Sequence, residues 1–335
     1  MVLHFNYKTT HSSSVIQRRK SLSGKVHSKI LTNSHLEFIM KKVAILFIVL
    51  LTSSFVFAQN TYVPDDKFEQ ALIDLGYDTT LDDSVLTANI SGVTTLDVSN
   101  KEISDLTGIE AFAALIELIV SNNKLTSLDV SANTALTLLN VNNNKLTSLD
   151  VSKNTVLTGL YGNTNQLTSL DVSNNTILTE FDVSSNQLTS LDVSKNTALK
   201  EMDCSFNQLT SLDVSKNTAL ETLGYYNNQL TSLDLSKNTA LLNIEGWDNA
   251  LTSLDVTANT ALTDLRVNHN ELTSLDVSKN TVLKNLACNN NKLTSLDVSN
   301  NTALTALDCP DNKLTSLDVS NNTALTYLHC AGNQL

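Results

Sequence analysis

Leu125-Thr126-Ser127-Leu128-Asp129 recurs, letter for letter, from residues 146, 167, 188, 209, 230, 251, 272, 293 and 314, a step of 21 residues without a slip. One full copy reads Leu199-x-x-Met202-x-Cys204-x-x-Asn207-x-Leu209-x-x-Leu212-Asp213-Val214-x-x-Asn217-x-x. Numbered 1 to 21, this unit has apolar residues at positions 1, 4, 6, 11, 14 and 16. The alternation x-Leu-x-Val-x, around positions 4 and 6 and again around 14 and 16, is that of a short strand half buried on one face. So small a unit buries its apolar edge only by stacking on its neighbours, and a strict period of about 20–29 residues therefore predicts a solenoid.

The fold expected is a leucine-rich-repeat solenoid, β-rich, with one or two parallel sheets of short strands and a small helical N-terminal cap. Asparagine stands at position 9 of all eleven coils, from Asn123 to Asn333, and at position 19 from Asn133 to Asn322. A short amide at a turn can satisfy backbone groups, and stacking it coil on coil makes a ladder. Both columns are expected to be structural.

The two halves of the unit each read L-x-x-L-x-V-x-x-N. Over residues 93–335 the chain resembles the IRREKO class of bacterial leucine-rich repeats, whose consensus L-x-x-L-x-[LC]-x-x-N-x-L-x-x-L-D-L-x-x-N-x-x matches nearly every column. The stretch Ile103-Ser104-Asp105-Leu106-Thr107-Gly108-Ile109-Glu110 resembles an internalin-type coil of 22 residues. The resemblance implies a secreted or surface-exposed binding module and leaves the ligand open.

Met40-Lys41-Lys42, an apolar run over residues 43–57 and Val56-Phe57-Ala58 before Gln59 have the basic, apolar and small-residue parts of a secretory signal peptide. Residues 40–58 are therefore expected to direct export, with Met40 as the start and 1–39 as a non-native extension. The rival reading is a signal-anchor with a basic cytoplasmic tail. Residues 59–335 hold 14 of the 22 basic and 33 of the 34 acidic side chains, a net charge of −19. Such a balance disfavours nucleic acid and anionic membranes and favours basic or neutral partners. Within residues 59–92, Asp65 to Leu75 read as a cap helix, with acids in the first turn, Phe68, Leu72 and Leu75 on one face, and Gly76 as its stop. The acidic stretch 78–83 lacks the glycine and terminal glutamate of a calcium loop and reads as a turn. The eleventh coil stops at Gln334-Leu335, halfway through its repeat, and the chain is expected to be truncated there.

Catalysis finds no support in the motifs. Cys204, Cys288, Cys309 and Cys330 all take inward position 6, and parallel side chains in one column do not converge as a disulfide requires. They are expected to be buried free thiols. Residues 59–335 contain two histidines, His269 and His329, three coils apart and so roughly 14 Å from each other by strand spacing. No catalytic residue, metal ligand or cofactor is expected.

Sequence identity breaks down at positions 3, 5, 7 and 8, while positions 12–17 barely change. Tyr161, Asp182, Asp203, Glu245 and Arg266 at position 5, with Phe206, Tyr226, Trp247 and His269 at positions 7 and 8, form the expected ligand-binding face. Exposed aromatics beside charges are the composition of an interface hot spot; the competing reading is drift on an unused surface. Tyr225 falls at inward position 6, where the next coil has Gly246, and is expected to fill the space its neighbour leaves. The function expected is a monomeric, exported, non-catalytic module that binds a protein at the cell surface. The alternative is a polysaccharide-binding region of a larger secreted enzyme.

Ten aspartates at position 15, Asp129 to Asp318, form a column that needs compensation. Hydroxyls, amides and the position 18 lysines (Lys153, Lys195, Lys216, Lys237 and Lys279) are expected to supply it, in preference to calcium. Millimolar calcium should then leave the thermal midpoint unchanged. Folded-state binding at a hundredfold excess over Kd would instead add about 2.7 kcal/mol per site, reversed by chelation.

Overall fold

The structure, a computed structural model, describes residues 35–42 and 59–335. Residues 35–42 are helical, and the apolar run expected to be an export signal lies outside the described residues. Among the described residues no helix is long and apolar enough to cross a membrane.

Residues 59–335 build one parallel sheet of twelve three-residue strands in sequence order, from β3 (Thr95–Asp97) through β4 (Glu117–Ile119) to β14 (Tyr327–His329). The register advances by one coil per strand: Thr95 pairs with Glu117, then Glu117 with Leu138 and Leu138 with Gly159. The first step is thus 22 residues and the later ones 21, as the repeat spacing dictates. Position 4 of each strand points into the core, where Leu118, Leu160, Leu223 and Ile244 are fully buried. Positions 3 and 5 face outward.

The second half-repeat makes no second sheet. Among the described residues its ladder pairing is limited to the isolated bridge between Asp129 and Asp150. Position 15 turns the chain within its own coil instead. The Asp171 carboxylate accepts the Ser173 amide at 2.8 Å, and Asp213 that of Ser215 at 2.9 Å. Those bonds and the neighbouring serine hydroxyls hold the column's carboxyls below the ordinary carboxylate range.

Asparagine 9 ties coil to coil. The Asn186 side-chain amide donates to the carbonyls of Gly162 in the preceding coil and of its own Val183, at 3.0 and 3.1 Å. Its oxygen accepts the Leu167 amide at 3.0 Å. Asn196, at position 19, donates to the carbonyls of Val172 and Asn175 at 2.9 Å each, but its buried oxygen has no partner, and the other nine residues of that column share this condition. The second column is therefore only half satisfied.

Position 8, free in residue type, is fixed in conformation. From Asn122 to Asp311 every residue there has φ between 50° and 57°, and Gly332 has 69°. Asn, Asp and Gly suit this left-handed turn, whereas Phe206 (φ 50°) and Thr164 (φ 54°) sit in it at a cost of about 1–2 kcal/mol each.

Strands β1 (Asn60–Tyr62) and β2 (Ser84–Leu86) pair antiparallel beside a cap helix over Asp66–Asp74. Phe68, Ala71 and Leu72 are its buried face, and Phe68 meets Phe112 of the first coil at 6.4 Å between ring centroids. Leu75, expected on that face, is 47% exposed because the helix has already ended at Asp74 and Gly76 (φ 81°) reverses the chain. Asp65 fastens the cap twice. One oxygen accepts the Lys67 and Phe68 amides of the helix start, and the other accepts the Ser104 amide and hydroxyl and the Asp105 amide, at 2.7–3.0 Å. Glu69, fully buried, accepts the amides of Asp82, Asp83 and Ser84.

Tyr225 is the largest fully buried side chain, and a Cβ built at Gly246 would lie 2.2 Å from its ring and hydroxyl. The tyrosine occupies the space of the next coil's missing side chain, and its hydroxyl has no hydrogen-bond partner.

Two outcomes follow from these contacts. Gly246→Ala should destabilise the chain by about 1–3 kcal/mol through overpacking. Adding Tyr225→Val should remove most of that penalty in a double-mutant cycle read from denaturant midpoints; additive effects would refute the pairing. Burial draws the Asp65 carboxyl upward, but the Ser104 hydroxyl and the Ser104, Phe68 and Asp105 amides outweigh it, and its pKa lies below the ordinary 3.8. The ionised carboxylate therefore stabilises the fold at neutral pH, and that contribution fades as pH falls through the lowered folded value. Hydrogen exchange of the cap amides should be faster in Asp65→Ala than in wild type at about pH 6, with the gap narrowing toward about pH 2. A gap independent of pH would show that the charge is not what fastens the cap.

Candidate ligand-binding face

Strand alternation sends positions 3, 5 and 7 outward, and parallel pairing sets equivalent residues side by side, roughly 4.8 Å apart. Of the residues expected on the binding face, this geometry sorts most into two adjoining features.

The first is an aromatic ladder along one edge of the face. Phe206 meets Tyr226 edge-on, with centroids 5.1 Å apart and planes at 78°. Tyr226 in turn stacks on Trp247 at 3.8 Å and 14°. Phe206 is 49% exposed. Tyr226 and Trp247 are half-buried. A preformed ladder presents apolar area with little ordering cost on binding.

The second is a hollow of about 220 Å³ that Tyr161, Asp182, Asp203 and Glu245 share with Glu180 and Glu201. Burial raises the Asp203 carboxyl, opposed by the Ser205 hydroxyl and amide beside it. The Tyr161 phenol is pushed up to about 12 by burial, by its hydrogen bond to Glu180 and by the charges of Glu180, Glu201 and Asp182. The field in the hollow is thus strongly negative.

Arg266 stands at the rim, 3.5 Å from Glu245. His269 lies farther along the turns, 3.7 Å from Asp248 and 3.4 Å from the Asn290 amide. It joins neither feature. Glu180, Glu201, Gly224 and Ser205 went unrecognised in the sequence. The signal was present in register: Glu180 and Glu201 pair directly, as do Asp182 and Asp203, so two successive acidic coils imply a carboxylate cluster.

Elsewhere, the carboxylates of Glu69, Asp78 and Asp82 have oxygens within 4.8 Å of one another in the cap. The oxygens of Glu69 already accept three amides there. Cys204, Cys288 and Cys309 are buried and Cys330 partly so, all four as free thiols. Burial raises the thiols of Cys204 and Cys288 far above their ordinary range and that of Cys309 to about 12, so these three remain protonated and unreactive at neutral pH.

The Leucine Rich repeat family model matches residues 142–159, 174–195 and 289–307. Internalin J of Listeria monocytogenes serotype 4b (strain F2365) is 41% identical over 75 residues, 22% of this chain and 8% of that protein. The solved functional domain of InlJ from Listeria monocytogenes, described as including a cysteine ladder, is 40% identical with a TM-score of 0.79, covering 82% of this chain and 62% of that one. The internalin inlF of Listeria monocytogenes str. 4b F2365 shares the fold at 23% identity and a TM-score of 0.69, covering 81% of this chain and 90% of that one. The chain thus spans less than two thirds of the InlJ domain and a small fraction of curated Internalin J. The period, the single parallel sheet and these likenesses agree on a leucine-rich-repeat solenoid similar to the bacterial internalins.

Proposed function

We propose that this chain is an exported, non-catalytic binding module that captures a protein partner at the cell surface or in the medium. The observation that carries the reading is the ladder of Phe206, Tyr226 and Trp247. Three aromatics sit together on the variable face, and one of them is held in a left-handed backbone conformation that asparagine takes in four other coils. Strain retained at an exposed aromatic points to use of that side chain. The internalin-like character of the chain supports a binding role, and residues 40–58 support export. The acidic balance selects neutral or basic partners.

Polysaccharide recognition is the weaker reading, because in the stacked pair each ring gives up one of its two faces, and ring faces are what a sugar would need. The chain can be immobilised and exposed to cell-surface fractions treated with protease or with periodate. Capture should be lost with protease, survive periodate, and weaken about 30-fold or more in Tyr226→Ala/Trp247→Ala, the size expected of a hot spot. Undiminished capture by the double variant would remove the ladder from the account. Loss with periodate alone would transfer the function to glycan binding.

A further inference from the structure

The hollow beside the ladder carries its own chemistry. Its floor exists because position 5 of the sixth coil is Gly224: a Cβ there would approach an Asp203 carboxylate oxygen to 2.8 Å and the Ser205 hydroxyl to 3.3 Å. Ser205 is fully buried beneath that floor, with its hydroxyl beside the Asp203 carboxylate. Around the floor stand five carboxylates, and most of their capacity is open. Glu180 accepts the Tyr161 hydroxyl, Asp182 accepts the Asn163 and Ser184 side chains, and Asp203 accepts the Ser205 amide. Glu245 faces Arg266 at 3.5 Å, while the Glu201 carboxylate has no hydrogen bond or ion pair among the described residues.

The shape of this charge selects its ligand. A divalent cation needs several oxygens converging at about 2.3–2.6 Å. Among the described residues, three ligand atoms come within 4.8 Å of one another only at Glu69, Asp78 and Asp82, so the carboxylates of the hollow do not converge. An ammonium is a compact point charge and would engage few of them. A guanidinium is a plane with five N–H donors in a fixed fork, able to reach carboxylates on two neighbouring strands while its face lies against an aromatic ring. Tyr161 provides a ring in the wall of the hollow.

We propose that the hollow receives an arginine side chain of the partner protein, held by Asp182, Glu201, Asp203 and Glu245 beside the aromatic ladder. This rests on the reading of the sheet face as a protein-binding surface, and it names the chemistry the face selects. The partner segment is basic, with an arginine that enters the hollow and an apolar neighbour that meets Tyr226 and Trp247.

The test uses the whole chain and a fluorescein-labelled peptide of alternating alanine and arginine, followed by anisotropy at physiological salt, with the lysine counterpart as control. The arginine peptide should bind about tenfold or more tightly than the lysine peptide, and Asp182→Asn/Glu201→Gln should weaken it by a similar factor. Asp213→Asn/Asp234→Asn removes the same charge from the position 15 column and should change binding by less than about twofold. Gly224→Leu keeps every charge, fills the hollow and should abolish the preference for arginine; thermal midpoints establish that each variant is folded. Equal binding of the two peptides, equal losses in the two acid-to-amide pairs, or displacement of the peptide by millimolar calcium would each overturn the proposal. The peptide assay is independent of the natural partner. Capture that falls in Tyr226→Ala/Trp247→Ala but persists in Asp182→Asn/Glu201→Gln would retain the binding face and remove the arginine site.

Discussion

Everything in the solenoid depends on one side-chain amide per coil. At Asn207 the amide donates to the carbonyls of Val183, Cys204 and Ser205 and accepts the amide of Leu188, reaching both its own coil and the one before. These backbone groups sit at a turn that the sheet ladder no longer serves and that water does not reach. Without the asparagine each would be orphaned at a cost of about 1–3 kcal/mol. Repeated coil after coil, the bond fixes the turn after the strand and hence the direction of the residues that follow. The outward face is uniform in backbone and free in side chain for this reason.

Much of this was legible in the sequence because repetition averages away local ambiguity. Eleven asparagines at position 9 and an unbroken spacing of 21 outweigh the weak propensity of any single three-residue strand. The pairing of Tyr225 with Gly246 was readable for the same reason, since the column made a large and a small residue stand out against valine. Other features depended on competition between interactions. Position 15 was read as part of a strand-like half-repeat, but an aspartate that takes its own downstream amide prefers a turn. Position 8 looked unconstrained because several residue types tolerate positive φ, and only the backbone shows that they share it.

The binding face was legible as a set of residues and illegible as a surface. Listing position 5 by coil gave Tyr161, Asp182, Asp203 and Glu245, yet it assigned Gly224 no part in the face. In the structure the glycine makes the hollow, and position 3 contributes Glu180 and Glu201 to its walls. His269 and Arg266 were grouped with the rest by column, and the geometry moves them to the rim and beyond. A side chain's part in a solenoid face depends on its neighbours one coil away, which a column-by-column reading takes in only when register is applied across columns.

The pairing of Tyr225 with Gly246 also bears on how this chain can change in length. Coils joined by identical contacts are interchangeable, and near-identical repeats invite gain or loss of whole units by misaligned recombination. Most such events would leave register and asparagine bonds intact. Removing residues 220–240 would not, because Gly246 would then follow Cys204 with no tyrosine above it, leaving a void in place of a ring. Inserting a coil between the two would press the tyrosine against whatever side chain took position 6. The sixth and seventh coils therefore form a linkage group within an otherwise modular array, and the ladder residues Tyr226 and Trp247, which they also carry, are inherited as one piece.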